Sequence, residues 1–293
     1  MMKDSNRIDA TAPTGIVQFR SGAPWSLRTD SVAVEEPLEI RIDTRPVTVT
    51  LRTPGHDDEL AAGFLVTEGV LRSAGEITRF HPHPRNPHGS VLDVQLRPDV
   101  TVDFARLTRH VFAVSSCGLC GKAAIDAVRQ SHPPIDNPFV VDPDWLIRLP
   151  EIMRTAQAAF QSTGGLHAAA LFEANGPLVV VREDIGRHNA VDKVVGHEAL
   201  AGRIPARDRV LLVSGRVSFE IMQKALGAGI GFIAAVSAPS SLAVEFARES
   251  SQTLVGFLRD GRFNVYHGAG RLPFPESQGA AEGFQEHGPA PSA

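Results

Sequence analysis

The sequence predicts an α/β protein, with a C-terminal layer sandwich around a partly parallel sheet and a smaller α+β unit before it. Three observations predict this. Beyond about residue 160, apolar runs of strand length alternate with stretches of helix length. Before about residue 110, strand-period alternation surrounds one helical pattern. The chain has 293 residues, 43% hydrophobic and 21% charged, enough to bury a sizeable core and to form one large or two modest domains.

The N-terminal unit begins with Ser31-Val32-Ala33-Val34 and Leu38-Glu39-Ile40-Arg41-Ile42, which alternate with the period of a strand. Pro46 to Arg52 is rich in β-branched residues and reads as the next strand. Thr53-Pro54-Gly55-His56 is a turn into a helix that runs to about Glu68-Gly69. Asp57, Asp58 and Glu59 sit in its first turn, where carboxylates suit the helix dipole. Ser90 to Leu96 is a further strand.

In the C-terminal unit, Asp144 to Phe160 predicts a helix interrupted or bounded at Pro150. Leu166 to Phe172 and Pro177 to Val181 predict a hairpin, because Ala174-Asn175-Gly176 lies between two apolar runs. A helix follows from about Asn189 to Leu200. Then come a strand at Arg209 to Val213, a helix at Ser218 to Leu226, a strand at Gly231 to Val236 and a helix at Ser240 to Ser250. Thr253 to Leu258 and Phe263 to Tyr266 close the fold as strands. The division that results is a mobile N-terminus at 1–15, a small α+β domain at 16–110, an α/β domain at 111–270 and a disordered tail at 271–293.

The net charge of −4 gives no basic footprint for nucleic acid. No apolar run is long enough to span a bilayer. The segment Met1 to Arg7 lacks the apolar core of a signal peptide. Two neighbouring cysteines and no others argue against a disulfide-stabilised secreted fold, so a cytoplasmic protein without nucleic-acid or membrane partners is expected.

Those cysteines, Cys117 and Cys120, lie in Ser115-Ser116-Cys117-Gly118-Leu119-Cys120-Gly121-Lys122. A structural zinc site needs four ligands, and there is no second cysteine pair. A thioredoxin-like dithiol is open, though Gly and Leu fill the central positions with no Trp or Pro beside them. A sulfur carrier fits a thiolate on a Gly/Ser-rich loop. Two small buried residues in a turn would also account for the pair.

In α/β sheets, ligands bind where strands give way to helices. Three such junctions are unusually polar. Arg182-Glu183-Asp184-Ile185-Gly186-Arg187-His188-Asn189 places cations, carboxylates and a His at a helix start, where surface ion pairs alone would also explain it. Ser214-Gly215-Arg216 offers a Gly for close backbone approach and a helix N-terminus for phosphate. Ser237-Ala238-Pro239-Ser240-Ser241 supplies hydroxyls, which capping explains equally well. No P-loop or G-x-G-x-x-G pattern occurs, so nucleotide hydrolysis and dinucleotide binding by those routes find no support.

Thr163-Gly164-Gly165-Leu166-His167-Ala168-Ala169-Ala170 resembles the His-bearing segment of zinc-dependent nucleobase deaminases. Ala169 stands where those enzymes need Glu, however, and no Cys follows Cys120. The zinc chemistry is missing although the fold could be shared. His167 could face the sulfur-carrying loop or be a satisfied core histidine.

Several of these segments together resemble the formate dehydrogenase accessory sulfurtransferase family, FdhD. They are Ser116 to Gly121, Thr163 to Ala169, Glu183 to Lys193, Ser214 to Arg216, Val236 to Ala243 and Leu254 to Arg262. The resemblance implies a deaminase-like core without zinc and a homodimer. It implies a sulfurtransferase that takes sulfur from a cysteine desulfurase as a cysteine persulfide. The recipient would be the molybdenum or tungsten bis(guanine dinucleotide) cofactor destined for formate dehydrogenase. Mapped onto this chain, Cys117 is the expected persulfide carrier, its thiolate favoured by Lys122 and a helix start, and Cys120 a helper or second carrier. Phe257, Leu258, Arg259, Asp260, Gly261 and Arg262 match the family's cofactor site, where Arg suits phosphate and Asp a guanine edge. Ser214, Gly215, Arg216, Arg187 and His188 are expected to complete it. A simple turn at Asp260-Gly261 is the plain alternative.

Overall fold

The structure, a computed structural model, describes residues 9–83, 90–104, 134–136 and 139–273. Its centre is a six-stranded sheet in the order β12-β11-β10-β9-β7-β8. The strands are β7 (His167–Glu173), β8 (Leu178–Asp184), β9 (Arg209–Val213), β10 (Phe232–Ala235), β11 (Thr253–Arg259) and β12 (Arg262–His267). β9, β10 and β11 run parallel, and β7, β8 and β12 pair antiparallel at the flanks.

Strict alternation within these strands feeds two cores. Ala169 and Leu171 of β7, Leu211 and Val213 of β9, and Ile233 and Ala235 of β10 face one side. There they meet α5 (Arg187–Leu200), α6 (Phe219–Gly227) and α7 (Ser241–Glu249) through Val191, Val194, Met222 and Phe246. The intervening residues, among them Ala170, Phe172, Leu212 and Phe232, face the other side and meet Trp145, Leu149 and Met153. A sheet covered on both faces makes three layers, which is why its strands read as unbroken apolar runs.

The predicted helix from Asp144 to Phe160 is three pieces: α2 (Pro143–Leu146), α3 (Leu149–Thr155) and α4 (Ala158–Thr163). Pro150 opens α3 rather than breaking a longer helix, since an N-terminal position needs no backbone donor. Asp142 caps α2 by accepting from the Asp144 amide. Glu183 of β8 accepts from the amides of Ala159 and Phe160 and so fixes α4 from across the sheet. Ser240 caps α7 through the Ala243 amide at 3.2 Å. Ser240→Ala is expected to cost about 1 kcal/mol in urea unfolding, and an unchanged midpoint would deny the cap a role.

The earlier residues form a second sheet, in the order β4-β3-β6-β5, and a two-stranded ribbon β1-β2. Their ranges are β1 (Thr11–Gln18), β2 (Ser26–Ala33), β3 (Glu36–Ile42), β4 (Arg45–Arg52), β5 (Ile77–Pro82) and β6 (Ser90–Leu96). Residues 11–15, expected to be mobile, are part of β1 and pair with β2 from Ala33 back to Thr29. Leu272, expected in the disordered tail, is buried in the second core. The boundary expected near residue 110 lies outside the described residues.

Helix α1 (Asp57–Thr67) covers the four-stranded sheet with Leu60, Ala61 and Leu65 and crosses α5 at a pair of glycines. A Cβ on Gly63 would fall 1.8 Å from the Asp192 carbonyl oxygen, and one on Gly196 would fall 1.8 Å from that of Glu59. The two backbones touch there, so neither position admits a side chain. Beside the crossing, Lys224 of α6 binds Asp192 at 2.9 Å and Glu68 at 2.8 Å. Burial opposes its charge, but the two carboxylates outweigh burial and push its pKa up.

Candidate functional site

The parallel strands β9, β10 and β11 all end at the same edge of the six-stranded sheet, and the polar segments picked from the sequence gather there. β7 begins at this edge with His167, opposite Asp184 at the end of β8. Ser214, just past β9, is tied to Ala168 twice. Its amide donates to the Ala168 carbonyl at 3.0 Å, and its Oγ accepts from the Ala168 amide at 2.9 Å. Gly215 lets the turn lie against His167, because a Cβ there would be 3.2 Å from the ring Nδ1. The β10–α7 turn joins the same surface. Val217 donates to the Ala238 carbonyl at 3.2 Å, and Phe257 donates to the Ser237 carbonyl at 3.0 Å.

A cavity of about 710 Å³ opens between this edge and helices α3 and α4. His167, Ser214, Arg259 and Asp260 line it from the sheet, and Arg154 and Phe160 from the helices. Arg187, His188 and Arg216 are not in its wall but flank His167. Burial lowers the His167 pKa, and the charges of Arg187, His188 and Arg216 lower it further against the opposing pull of Asp184. Burial and the neighbouring charges thus both favour the neutral form of the His167 imidazole. The Arg187 Nε is buried and has no hydrogen-bond partner in the structure.

The segment Phe257 to Arg262 is a hairpin tip. Asp260 at φ 55° and Gly261 at φ 69° are the two central residues of a tight turn between Arg259 and Arg262. The plain turn reading is thus correct, and the turn also presents Arg259 and Asp260 to the cavity. Leu258 differs from expectation: its side chain is fully buried in the second core, so only its backbone can meet a ligand. Phe257 has a positive φ of 52° where the ladder to β12 is irregular, and its ring lies 5.6 Å from the Arg259 guanidinium.

Much of the polar junction before α5 is structural, and of a different kind from surface ion pairing. Asp184 is fully buried and binds Lys193 at 2.7 Å. It also accepts from the amides of Gly186 at 2.8 Å and Thr53 at 3.2 Å and from the Asn189 side chain at 3.1 Å. Lys193 donates to the Thr53 carbonyl at 2.9 Å. Asn189 donates to the Leu51 carbonyl at 2.8 Å. Arg182 binds Glu59 of α1. These residues lock the start of α5 to the β4–α1 loop, which leaves Arg187 and His188 as the candidates of that segment for ligand contact. Glu220, which sequence reasoning missed, meets His188 at 3.0 Å.

Cys117 and Cys120 lie outside the described residues. Among the described residues no cluster of His, Cys, Asp and Glu could hold a metal ion, and no helix is long and apolar enough to cross a membrane.

The FdhD/NarQ family model matches residues 33–273, a span that includes the cysteine pair and every candidate cofactor residue. The chain belongs to the FdhD/NarQ family. This FdhD/NarQ chain is 52% identical over 265 residues to the sulfur carrier protein FdhD of Streptomyces avermitilis, covering 88% of this chain and 94% of that one. It is 51% identical over 255 residues to the protein of the same name from Mycobacterium tuberculosis, covering 84% and 92%. A crystal structure from Desulfotalea psychrophila, described as a candidate formate dehydrogenase accessory protein, superposes with a TM-score of 0.72 at 24% identity. It covers 90% of this chain and 100% of that one, a likeness of fold across nearly the whole molecule.

Proposed function

We propose that this FdhD/NarQ protein is a sulfurtransferase in formate dehydrogenase maturation. In this reading it accepts sulfur from a cysteine desulfurase on Cys117 and passes it to the molybdenum or tungsten bis(guanine dinucleotide) cofactor. One observation carries the reading. A chain half identical to proteins named sulfur carriers has only two cysteines, and they stand as Cys117 and Cys120. Sulfur carried covalently has nowhere else to go.

The chemistry follows from thiol exchange. The Cys117 thiolate attacks the terminal sulfur of the donor's persulfide. The donor's S–S bond breaks, its thiolate leaves, and a new S–S bond forms on Cys117. Delivery as sulfide then needs two electrons. Attack by Cys120 on the inner sulfur of Cys117 supplies them, forming a Cys117–Cys120 disulfide and releasing HS⁻. A cellular thiol reductant restores the pair.

The cofactor is substrate here, and it is rich in phosphate. What supports its binding at the sheet edge is a cation cluster in a chain of net charge −4. Arg259 and Arg262 sit directly opposite each other in the hairpin, and neither has a carboxylate partner among the described residues. Both are exposed, so water weakens their repulsion, and an anion between them would relieve it. The Arg187 Nε, buried and without a partner, makes the stronger demand. Gly261 has open space around its Cα, and Gly215 keeps the backbone bare beside His167. The three-layer core agrees with the deaminase-like fold the resemblance implies, with Ala169 in place of the acid/base Glu. In this reading the protein works as a homodimer in the cytoplasm, with the desulfurase and formate dehydrogenase as partners.

Intact-protein mass spectrometry tests the carrier role. After incubation with a cysteine desulfurase and cysteine, the chain is expected to gain about one sulfur atom, lost again on adding a thiol reductant. No gain, with the desulfurase shown to be active, would overturn the role and leave a cofactor-binding chaperone without catalytic cysteines.

A further inference from the structure

Gln157 forms part of the wall of the cavity between the sheet edge and helices α3 and α4. It is 4% exposed, and its side-chain amide makes no hydrogen bond among the described residues. The backbone fixes its place. Its own amide donates to the Arg154 carbonyl at 3.2 Å, and its carbonyl accepts from the Gln161 amide at 3.0 Å. Gln157 stands at the N-cap of α4, yet its side chain caps nothing there. Glu183 caps that helix from β8 instead, by accepting from the Ala159 and Phe160 amides. Nor is the Gln157 amide sealed in the core. Among the described residues, the side-chain atoms wholly buried without a partner are the Gln18 Oε1 and the Arg187 Nε. The Gln157 amide therefore keeps its small accessible surface, and the space it borders is the cavity.

An unpaired amide at such a depth costs stability unless a ligand or water takes its donors and acceptor. Two other residues of the same wall suit a flat base. Phe160 is a partly buried aromatic, and Asp260 is an exposed carboxylate at the hairpin tip. Guanine carries hydrogen-bond donors at N1 and N2 and an acceptor at O6. A carboxylate only accepts, so Asp260 takes the donors and leaves O6 in need of one. We propose that Gln157 is a specificity-determining residue, whose Nε2–H donates to O6 of a guanine base. This rests on the reading of the sheet edge as the guanine dinucleotide site.

Depth divides the wall between base and phosphate. Arg154 and Arg259 are exposed, which suits phosphate oxygens that stay partly in water, whereas Gln157 is buried where a base edge is stripped of water. Selection then comes from Gln157 and Asp260 acting together. A glutamine amide can turn to meet the amino group that adenine carries in place of O6. Asp260 cannot adapt in that way, because adenine turns a bare nitrogen, not an N–H, towards the carboxylate. A guanine satisfies both side chains at once, and an adenine leaves one of them facing a like lone pair.

The experiment uses the full chain and three probes: GDP, ADP and thio-GDP, in which sulfur, a weak acceptor, replaces O6. Calorimetry on wild type and Gln157→Met reads the affinities, and urea unfolding reads stability. Wild type is expected to bind GDP more tightly than either of the other two. Gln157→Met fills similar space without the amide and is expected to weaken GDP roughly tenfold. Its affinity for thio-GDP and ADP should stay within about twofold of wild type, so that the preference for GDP collapses. Its unfolding midpoint should be unchanged or raised, since the amide has no hydrogen bond to lose. Wild type binding GDP and thio-GDP equally well overturns the O6 contact without any variant. Gln157→Met binding GDP as wild type does, or weakening all three probes alike, overturns it as well and leaves the site reading standing. Wild type failing to bind GDP overturns the site reading, and the proposal with it.

Discussion

Cys120→Ala is expected to load sulfur like the unaltered chain and then to hold it, whereas Cys117→Ala is expected to take up none. The asymmetry follows from electron counting. Loading exchanges one S–S bond for another and needs one thiolate. Release as HS⁻ needs a second thiol to take over the bond to Cys117. The two steps separate by pH, because only a thiolate attacks and an ordinary thiol is mostly protonated near pH 7. Protein loaded at pH 7 and freed of small thiols is raised to about pH 9, and sulfide and intact mass are followed. The parent chain is expected to release sulfide in step with a disulfide, seen as loss of one sulfur atom and two hydrogens relative to the loaded, protonated form. Cys120→Ala is expected to keep its added sulfur until an external thiol is supplied. Equal release from both would remove Cys120 as the electron source. Failure of Cys120→Ala to load would make both thiols acceptors rather than carrier and helper.

How much of this molecule can be read from its sequence depends on how far apart the interacting residues lie. The six strands of the central sheet were legible because an apolar run of strand length bounded by turn residues is a local signal. Ala169 and Leu171 against Ala168, Ala170 and Phe172 is enough to predict a strand covered on both faces. The ribbon strand β1 was not legible. It contains Pro13 and Gly15, which local rules place outside strands, and among the described residues it pairs only with β2, with much of its length exposed. The division of α2 to α4 was hidden for another reason, since α4 starts where Glu183 of β8 supplies the cap. The site divides likewise. Ser214 to Arg216 and Arg259 to Arg262 were found because strand ends in α/β sheets are where ligands bind. The carboxylates and amide of the junction before α5 suggested ligand contact too, and sequence alone could not reveal that Thr53, far upstream, already occupies Asp184 and Lys193. Glu220 sits in the first turn of a helix, a position at which a carboxylate needs no explanation beyond the dipole.

Lys193→Met is expected to destabilise the protein by about 3–5 kcal/mol, because it strands a buried charge. Asp184 and Lys193 are each almost wholly inaccessible and stand 2.7 Å apart. Methionine fills similar space without a cation, so Asp184 would keep its three hydrogen bonds from Thr53, Gly186 and Asn189 but lose its counter-charge. The double variant Asp184→Asn with Lys193→Met is expected to recover much of the loss, since no buried charge remains to be compensated. Urea unfolding of the two single variants and the double variant gives the coupling directly. A single-variant cost below about 1 kcal/mol would mean that water reaches the pair and that it does not anchor α5. The same series bears on the site. Asp184 holds the Gly186 amide at the start of α5, immediately before Arg187 and His188, so the double variant should fold while presenting those two side chains less firmly. Its affinity for GDP, a fragment of the guanine dinucleotide cofactor, should then fall, and equal affinity in the parent chain and the double variant would detach this helix start from the site.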